Sequence, residues 1–263
     1  MSDIEKVKKY YKNYDEDGRL LSKYGLVEYL TTMRYIEKYL KKGDRIIEIG
    51  AGTGRYSHAL SRAGYVVDAV ELVEENINIF RSNITPNEQI SIVQGNALDL
   101  CDFADESYDI ALLLGPLYHL YSFEEQKKAI AEALRVTKCG GVVFAAYVMA
   151  DASVLTYGFK KNVIEEIVSD CELDTDTFDE FTKPWGVFEL YRKENIDKLR
   201  REFDVEHLNF IITDGYANHM REEIEKMDER TFDLFIKYHF SICEREDMVG
   251  LSHHTLDVFR KRM

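Results

Sequence analysis

The sequence has few cysteines, and they lie far apart. The four are Cys101, Cys139, Cys171 and Cys243, and no two of them form a C-x-x-C pair. This spacing argues against a zinc knuckle and against the dense disulfide framework of small secreted proteins. We therefore expect reduced thiols and a cytoplasmic protein.

Long apolar segments are also missing. No run approaches the roughly 18 apolar residues that indicate a membrane-spanning helix. Residues 1–14 are charged and rich in tyrosine, without the apolar stretch of a signal peptide. We expect neither secretion nor a membrane partner.

Positively charged residues are fewer than negatively charged ones. The sequence has 34 Lys and Arg residues against 48 Asp and Glu residues, which gives a net charge of -14. Such a chain repels a phosphate backbone unless a local basic patch overrides the net charge. Nucleic acid is therefore not an expected partner. The 45% of hydrophobic residues is ordinary for a folded globular protein.

Short apolar segments alternate with segments of helical periodicity along most of the chain. A first helix is predicted between residues 25 and 40, and seven strands follow at residues 45–49, 66–71, 90–95, 108–114, 142–148, 208–213 and 255–260. Helices are predicted between them at residues 56–63, 74–83, 123–136 and 193–203. A turn at Cys139, Gly140 and Gly141 precedes the fifth strand. This alternation is typical of an α/β fold with a doubly wound, mostly parallel seven-stranded sheet.

The length fits one domain, residues 1–263, with appended segments. Residues 1–44 are predicted to form N-terminal helices and a flap, and residues 45–150 the ligand-binding core. Residues 151–186 and 214–250 read as helical, aromatic-rich insertions. The connections after the fifth and sixth strands leave the sheet at the same edge as the glycine loop. We therefore expect both insertions to form a lid over the ligand site.

A glycine loop follows the first predicted strand, at the edge where open α/β sheets bind ligands. Gly50, Gly52 and Gly54 permit a tight turn and close approach of a ligand to the backbone. The dinucleotide pattern G-x-G-x-x-G would require glycine where Arg55 stands, which disfavours a pyrophosphate cofactor. Glu71, 21 residues beyond Gly50, is placed to accept two hydrogen bonds from a ribose diol. The pattern therefore indicates a nucleoside cofactor.

Four motifs in order resemble those of the class I S-adenosylmethionine-dependent methyltransferases. They are residues 48–54 (EIGAGTG), 70–72 (VEL), 94–97 (QGNA) and 108–114 (YDIALLL), within a stretch of about residues 45–148. Residues 14–20 (YDEDGRL) and 114–120 (LGPLYHL) resemble, more narrowly, a bacterial branch of small-molecule methyltransferases. The resemblance implies S-adenosylmethionine as cofactor, bound by Gly50, Ala51, Gly52, Gly54, Glu71, Leu72, Asn96, Ala97 and Leu114.

The sequence departs from the family at its adenine-contacting turn. The family usually carries aspartate there, and this chain has Asn96. An asparagine oxygen still accepts a hydrogen bond from an adenine amino group, and its NH2 group can donate to a ring nitrogen. Glu48 lies inside the first strand, where we expect it to hold the glycine loop.

Further candidates lie beside these motifs. Tyr11 and Arg19 could cover the sulfonium or the methionine carboxylate, by a cation–π contact or a charge-assisted hydrogen bond. They could instead cover only the sheet edge. His119 and Tyr118 follow the fourth strand, where the resemblance places the methyl acceptor, and are the candidate catalytic residues. His119 could equally cap the next helix or pack against the lid.

Two adjacent histidines, His253 and His254, precede the last predicted strand. Successive strand residues point to opposite faces, so we expect the two side chains not to share an ion. No metal is predicted.

The reaction implied is in-line SN2 transfer of a methyl group to an O or N atom of a small molecule, which requires a positioned acceptor and exclusion of water. A non-catalytic protein that binds S-adenosylmethionine is the first alternative, because folds do not fix functions. RNA or protein methylation is the second. The N-P-P-Y-type motif of base amino methylation is absent, and residues 115–118 read GPLY. No motif identifies the methyl acceptor or indicates the oligomeric state.

Overall fold

The computed structural model describes residues 2–12, 18, 22–171, 173–176, 178 and 184–263. Its strands are β1 (Arg45–Ile49), β2 (Val66–Glu71), β3 (Ile90–Gln94), β4 (Tyr108–Leu113), β5 (Thr137–Val148), β6 (Val205–Ile212) and β7 (His254–Lys261). Its helices are α1 (Asp3–Tyr11), α2 (Lys23–Tyr39), α3 (Arg55–Arg62), α4 (Glu74–Ser82), α5 (Phe123–Val136), α6 (Ala150–Ser153), α7 (Ile164–Cys171), α8 (Lys193–Arg200), α9 (Arg221–Glu225) and α10 (Glu229–Ile242).

The seven strands form one sheet in the order β3-β2-β1-β4-β5-β7-β6. Neighbours from β3 to β5 pair in parallel, and β7 runs antiparallel to both β5 and β6. The predicted fold class is confirmed. Strand order reverses at β1, which lies between β2 and β4, so the carboxyl end of β1 is the switch point where such sheets bind ligands.

The centre of the sheet is covered on both faces. Four consecutive residues of β1, from Ile46 to Ile49, are each at most 1% exposed. Because successive strand residues point to opposite faces, a continuous buried run requires packing on both sides. The main hydrophobic cluster accordingly joins strand residues with side chains of flanking helices, among them Ile36 of α2 and Ile130 of α5.

The fifth strand begins five residues before its predicted start. The turn predicted at Cys139, Gly140 and Gly141 lies inside β5, so that prediction is wrong. Thr137 pairs with Tyr108 and Val142 pairs with Ile110, which leaves extra residues bulged on β5. Gly140 has φ +79° there, a conformation that glycine adopts readily within a bulge.

Two helix starts follow the sequence signals closely. Ser122 caps α5, where its hydroxyl oxygen accepts the backbone N–H of Glu125 at 3.2 Å. Ser2 and Glu5 form a reciprocal capping box at the start of α1. Among the described residues, no helix is both long enough and apolar enough to span a membrane.

Candidate functional site

A first cavity of about 200 Å³ lies beyond the carboxyl ends of β1, β2 and β4. Every described residue that the sequence assigned to the cofactor lines it except Gly54. The lining residues from those motifs are Gly50, Ala51, Gly52, Glu71, Leu72, Asn96, Ala97, Leu114 and Tyr11. Arg19 lies outside the described residues.

The glycine loop turns between β1 and α3. The backbone N–H groups of Gly50 and Ala51 donate to the Val70 carbonyl, which ties the loop to β2. Gly52 has φ +57°, and a Cβ built there would meet no atom within 4 Å. The backbone of Gly52 is therefore open on the side from which a ligand can approach.

Gly54 does not line the cavity, contrary to its predicted role. It has φ +92° at the start of α3, and a Cβ there would lie 2.3 Å from Cδ2 of Phe80 and 2.9 Å from Cδ2 of His58. Gly54 is thus required for packing between the loop and α4. Glycine at every second position is compatible both with close packing and with approach of a ligand. The sequence pattern therefore could not tell which of the two roles Gly54 has.

Glu71 ends β2 and is only 6% exposed. Its Oε2 accepts the backbone N–H of Gly52 at 2.8 Å, and its Oε1 accepts the backbone N–H of Val73 at 2.8 Å and the side-chain amide of Asn76 at 3.3 Å. Burial raises the pKa of Glu71, and these hydrogen bonds oppose that rise. Since an ionised carboxylate has about four acceptor sites, the fixed side chain can still accept from a ligand.

Glu48 connects β1 to the first turn of α3, which follows the glycine loop directly. Its Oε2 accepts the backbone N–H of Ser57 at 2.9 Å, and the Ser57 hydroxyl also donates to it. Burial raises the pKa of Glu48 to about 8. The side chain also lines the first cavity, so it anchors the start of α3 and borders the ligand space.

Asn96 occupies the turn after β3. Its side-chain oxygen accepts the backbone N–H of Leu98 at 3.0 Å, which fixes the orientation of the carboxamide. Leu98 is a lining residue that the motif did not indicate. Because an amide oxygen has two lone pairs, this contact leaves Asn96 able to accept from an adenine amino group.

The N-terminal helix covers the first cavity. Asp3, Ile4, Val7 and Tyr11 of α1 all line it. Sequence reasoning assigned only Tyr11 to the site. The sequence does contain a signal for this helix. A capping box of Ser2 and Glu5 marks its start, and apolar residues recur at Ile4, Val7 and Tyr11, the spacing of one helix face.

His119 lies in the turn after β4 and contacts α1. Its Nδ1 lies 2.7 Å from the Val187 carbonyl, which can only accept, so Nδ1 carries the proton. Its Nε2 then accepts the Tyr11 hydroxyl at 2.9 Å. Burial lowers the pKa of His119 to about 4, so the imidazole is neutral at pH 7. The hydroxyl of the neighbouring Tyr118 donates to the Leu114 carbonyl at 3.1 Å.

A second cavity of about 630 Å³ adjoins the first. Tyr11 and Tyr118 line both, so the two spaces meet at these rings. Both predicted insertions contribute walls, and so does α2, whose contribution the sequence did not indicate. The further lining residues include Tyr24, Glu28, Ser153, Tyr157, Lys161, Trp185, Phe188, Asp214, Asn218, Arg221, His253 and His254.

The prediction that His253 and His254 point apart is wrong. His253 precedes β7, so strand alternation does not separate the two rings, whose centroids lie 4.5 Å apart. Nδ1 of His254 lies 2.9 Å from Oδ2 of Asp214. Burial alone would raise the pKa of Asp214, but the His254 hydrogen bond and charge hold that pKa well below its usual range.

Comparisons with known proteins identify a methyltransferase domain in the chain. Residues 47–145 match the family model described as a methyltransferase domain. This match supports a class I S-adenosylmethionine-dependent methyltransferase domain over these residues. The resemblance noted in the sequence motifs is confirmed, and S-adenosylmethionine is the cofactor of that family.

Curated relatives match part of the chain. The demethylmenaquinone methyltransferase of Clavibacter sepedonicus is 33% identical over 99 residues, which are 38% of this chain and 39% of that protein. The ribosomal protein L11 methyltransferase of Thermotoga neapolitana is 32% identical over 80 residues, which are 30% of this chain and 29% of that protein. The chain thus spans less than half the length of these relatives.

A solved structure shares the fold over a longer stretch. The S-adenosylmethionine-dependent methyltransferase of Methanosarcina mazei superimposes with a TM-score of 0.57 at 19% identity, and the match covers 87% of this chain and 97% of that one. At this identity the likeness shows a common fold. It includes the Rossmann-like sheet that carries the methyltransferase domain.

Proposed function

We propose that this chain binds S-adenosylmethionine in the first cavity and transfers its methyl group to an O or N atom of a small molecule bound in the second. The observation that supports this most directly is the junction of the two cavities at Tyr11 and Tyr118. Methyl transfer requires the acceptor atom to lie in line with the methyl group, about 3 Å from it. Adjoining cavities allow that arrangement.

The residues of the first cavity fit the cofactor. Glu71 offers a fixed, buried carboxylate for the ribose hydroxyls, Asn96 a carboxamide for adenine, and the open side of Gly52 permits close approach. Bound S-adenosylmethionine supplies an activated methyl group. The protein then needs to bind, orient and exclude water, and α1 lies where it shields the site.

His119 acts in this proposal as a positioning residue. Its low pKa makes it a weak proton acceptor at neutral pH, while its two hydrogen bonds hold Tyr11 at the junction of the cavities. The acceptor proton leaves to solvent, or is already absent when an amine binds in its neutral form.

A small acceptor fits better than a macromolecule. The second cavity, at about 630 Å³, falls in the range of small-molecule pockets and is walled by both insertions. The net charge of -14 opposes RNA binding. Among the relatives, one name specifies demethylmenaquinone and another a ribosomal protein, so both acceptor classes belong in the test.

The decisive experiment combines calorimetry of cofactor binding with methyl transfer from radiolabelled S-adenosylmethionine. The acceptors are a panel of small amines, phenols and quinols, together with total RNA and ribosomal proteins. We expect cofactor binding and transfer to a member of the small-molecule panel. Cofactor binding without transfer to any acceptor would favour the non-catalytic alternative, and transfer to RNA or protein alone would overturn the small-molecule assignment.

A further inference from the structure

Four metal-ligand side chains meet at the wall of the second cavity. Nδ1 of His254 lies 2.9 Å from Oδ2 of Asp214, 3.3 Å from Oε2 of Glu28 and 3.4 Å from Nδ1 of His253. In the part of the chain that the structure describes, Asp214, His253 and His254 are the group of three whose ligand atoms all lie within 4.8 Å of one another. All four side chains line the cavity.

The sheet holds these residues in place. Asp214 follows β6 and His254 begins β7, the antiparallel neighbour of β6. Oδ1 of Asp214 accepts the backbone N–H groups of His253 at 2.8 Å and of His254 at 3.1 Å, and the Ser252 hydroxyl at 2.7 Å. The carboxylate is thereby fixed with Oδ2 turned toward the imidazoles. Such support is typical of preorganised metal ligands.

The separation of the two imidazole nitrogens matches a tetrahedral ion. Two ligand atoms that each lie 2.0–2.1 Å from Zn²⁺ at the tetrahedral angle are about 3.3–3.4 Å apart. The distance from His254 Nδ1 to His253 Nδ1, 3.4 Å, has this value. The shorter 2.9 Å from His254 Nδ1 to Asp214 Oδ2 corresponds to a narrower angle at the same ion. Glu28 lies beside this group, with its Oε2 3.3 Å from His254 Nδ1.

A metal ion and a proton would hold these atoms differently. A proton on Nδ1 of His254 points well toward only one of the atoms around it. A divalent cation bound by Asp214, His253 and His254 attracts their three ligand atoms at once, and two imidazoles with one carboxylate form a donor set suited to zinc or a similar transition metal.

We propose that Asp214, His253 and His254 bind a divalent transition-metal ion of the zinc type. The ion would lie in the wall of the second cavity. Where the proposed function also holds, an oxygen or nitrogen atom of the acceptor can become the fourth ligand, because zinc sites with three protein ligands keep one position open. The ion would then orient the acceptor.

The test measures zinc directly, without cofactor or acceptor, so its failure is distinct from failure of the proposed function. The full chain, purified without a polyhistidine tag, is dialysed against ZnCl2 and its metal content is determined. We expect about one zinc per chain, with the dissociation constant raised at least about tenfold in His253→Gln and His254→Gln. His207→Gln is the matched control, because His207 is exposed on β6 and also contacts a single carboxylate, Asp257. It should retain wild-type binding.

Two outcomes would overturn the proposal: no zinc bound by the wild-type chain, or equal binding by the wild type, His253→Gln and His254→Gln. Should a variant fail to fold, Co²⁺ in the wild-type chain gives an independent readout. Four-coordinate Co²⁺ produces intense visible absorption bands, and only the weak bands of the hydrated ion would count against the site. Competition by Zn²⁺ should abolish the intense bands.

Discussion

The Tyr11 hydroxyl donates to Nε2 of His119 across 2.9 Å, and this hydrogen bond joins the N-terminal helix to the turn after β4. The partners are 108 residues apart in sequence. Both side chains line the first cavity, so the bond fastens α1 over the proposed cofactor site. Opening of α1 for cofactor exchange requires that this bond break.

Tyr11→Phe should therefore speed release of the cofactor. Loss of one hydrogen bond costs about 0.5–1.5 kcal/mol, which corresponds to roughly a 2- to 10-fold faster dissociation of S-adenosylhomocysteine. Stopped-flow fluorescence measures the rate. Tyr65→Phe is the control, since Tyr65 precedes β2 at the end of the sheet opposite the cavity. Unchanged release in Tyr11→Phe would show that the bond does not hold α1 over the ligand.

Gly52→Ala should weaken cofactor binding in addition to the fold. Its Cβ would project into open space at the first cavity, where the cofactor is proposed to lie. Gly64→Ala is a matched control, because Gly64 also has positive φ and no atom within 4 Å of a built Cβ, but does not line the cavity. Each substitution should cost about 1–2 kcal/mol of stability through left-handed strain.

Only Gly52→Ala should raise the dissociation constant of S-adenosylmethionine, by at least about tenfold, which is 1.4 kcal/mol. Calorimetry gives the affinity and urea unfolding gives the stability. Equal affinities of the two variants would mean that no ligand approaches Gly52.

Glu71→Gln should reduce affinity for the cofactor. The substitution keeps the shape of the side chain but removes the charge and one of the two acceptor oxygens. Hydrogen bonds to charged groups contribute about 1.5–3 kcal/mol, so the dissociation constant should rise roughly 10- to 100-fold. Glu74→Gln, an exposed position in the first turn of α4, is the control. Wild-type affinity in Glu71→Gln would refute the ribose assignment.

His119 should make stability depend on pH. Burial lowers its pKa to about 4 in the folded chain, against 6.5 when unfolded. Below pH 6.5 the unfolded chain binds the proton first, so stability is full above pH 6.5 and falls as pH drops toward 4. The loss attributable to His119 is at most about 3 kcal/mol.

His119→Gln should remove this part of the pH dependence. Urea unfolding of the wild type and the variant between pH 7 and pH 4 gives the difference in free energy. The free energy of unfolding of the variant should rise relative to that of the wild type as pH falls. Parallel curves over that range would show that His119 titrates alike in both states.

Local signals in the sequence were sufficient for the central sheet. Each strand of β1 to β4 is a short apolar run, and the helices between them have helical periodicity, so neighbouring residues contain the information. The same holds for the glycine loop, Glu71 and Asn96, whose spacing reflects two consecutive β-α-β units. The bulge in β5 was missed because glycines at a strand end and glycines in a turn leave the same pattern.

Contacts between distant segments decided the rest. Gly54 faces Phe80 rather than the cavity, Tyr11 meets His119, and Glu28 of α2 meets His254 of β7. No spacing along the sequence predicts these pairs, because packing brings together residues that are far apart in the chain. The sequence by itself determined the α/β core and its cofactor motifs, which depend on local periodicity. Only the tertiary structure decided how α1 and the insertions enclose the second cavity, and that Asp214, Glu28, His253 and His254 converge there.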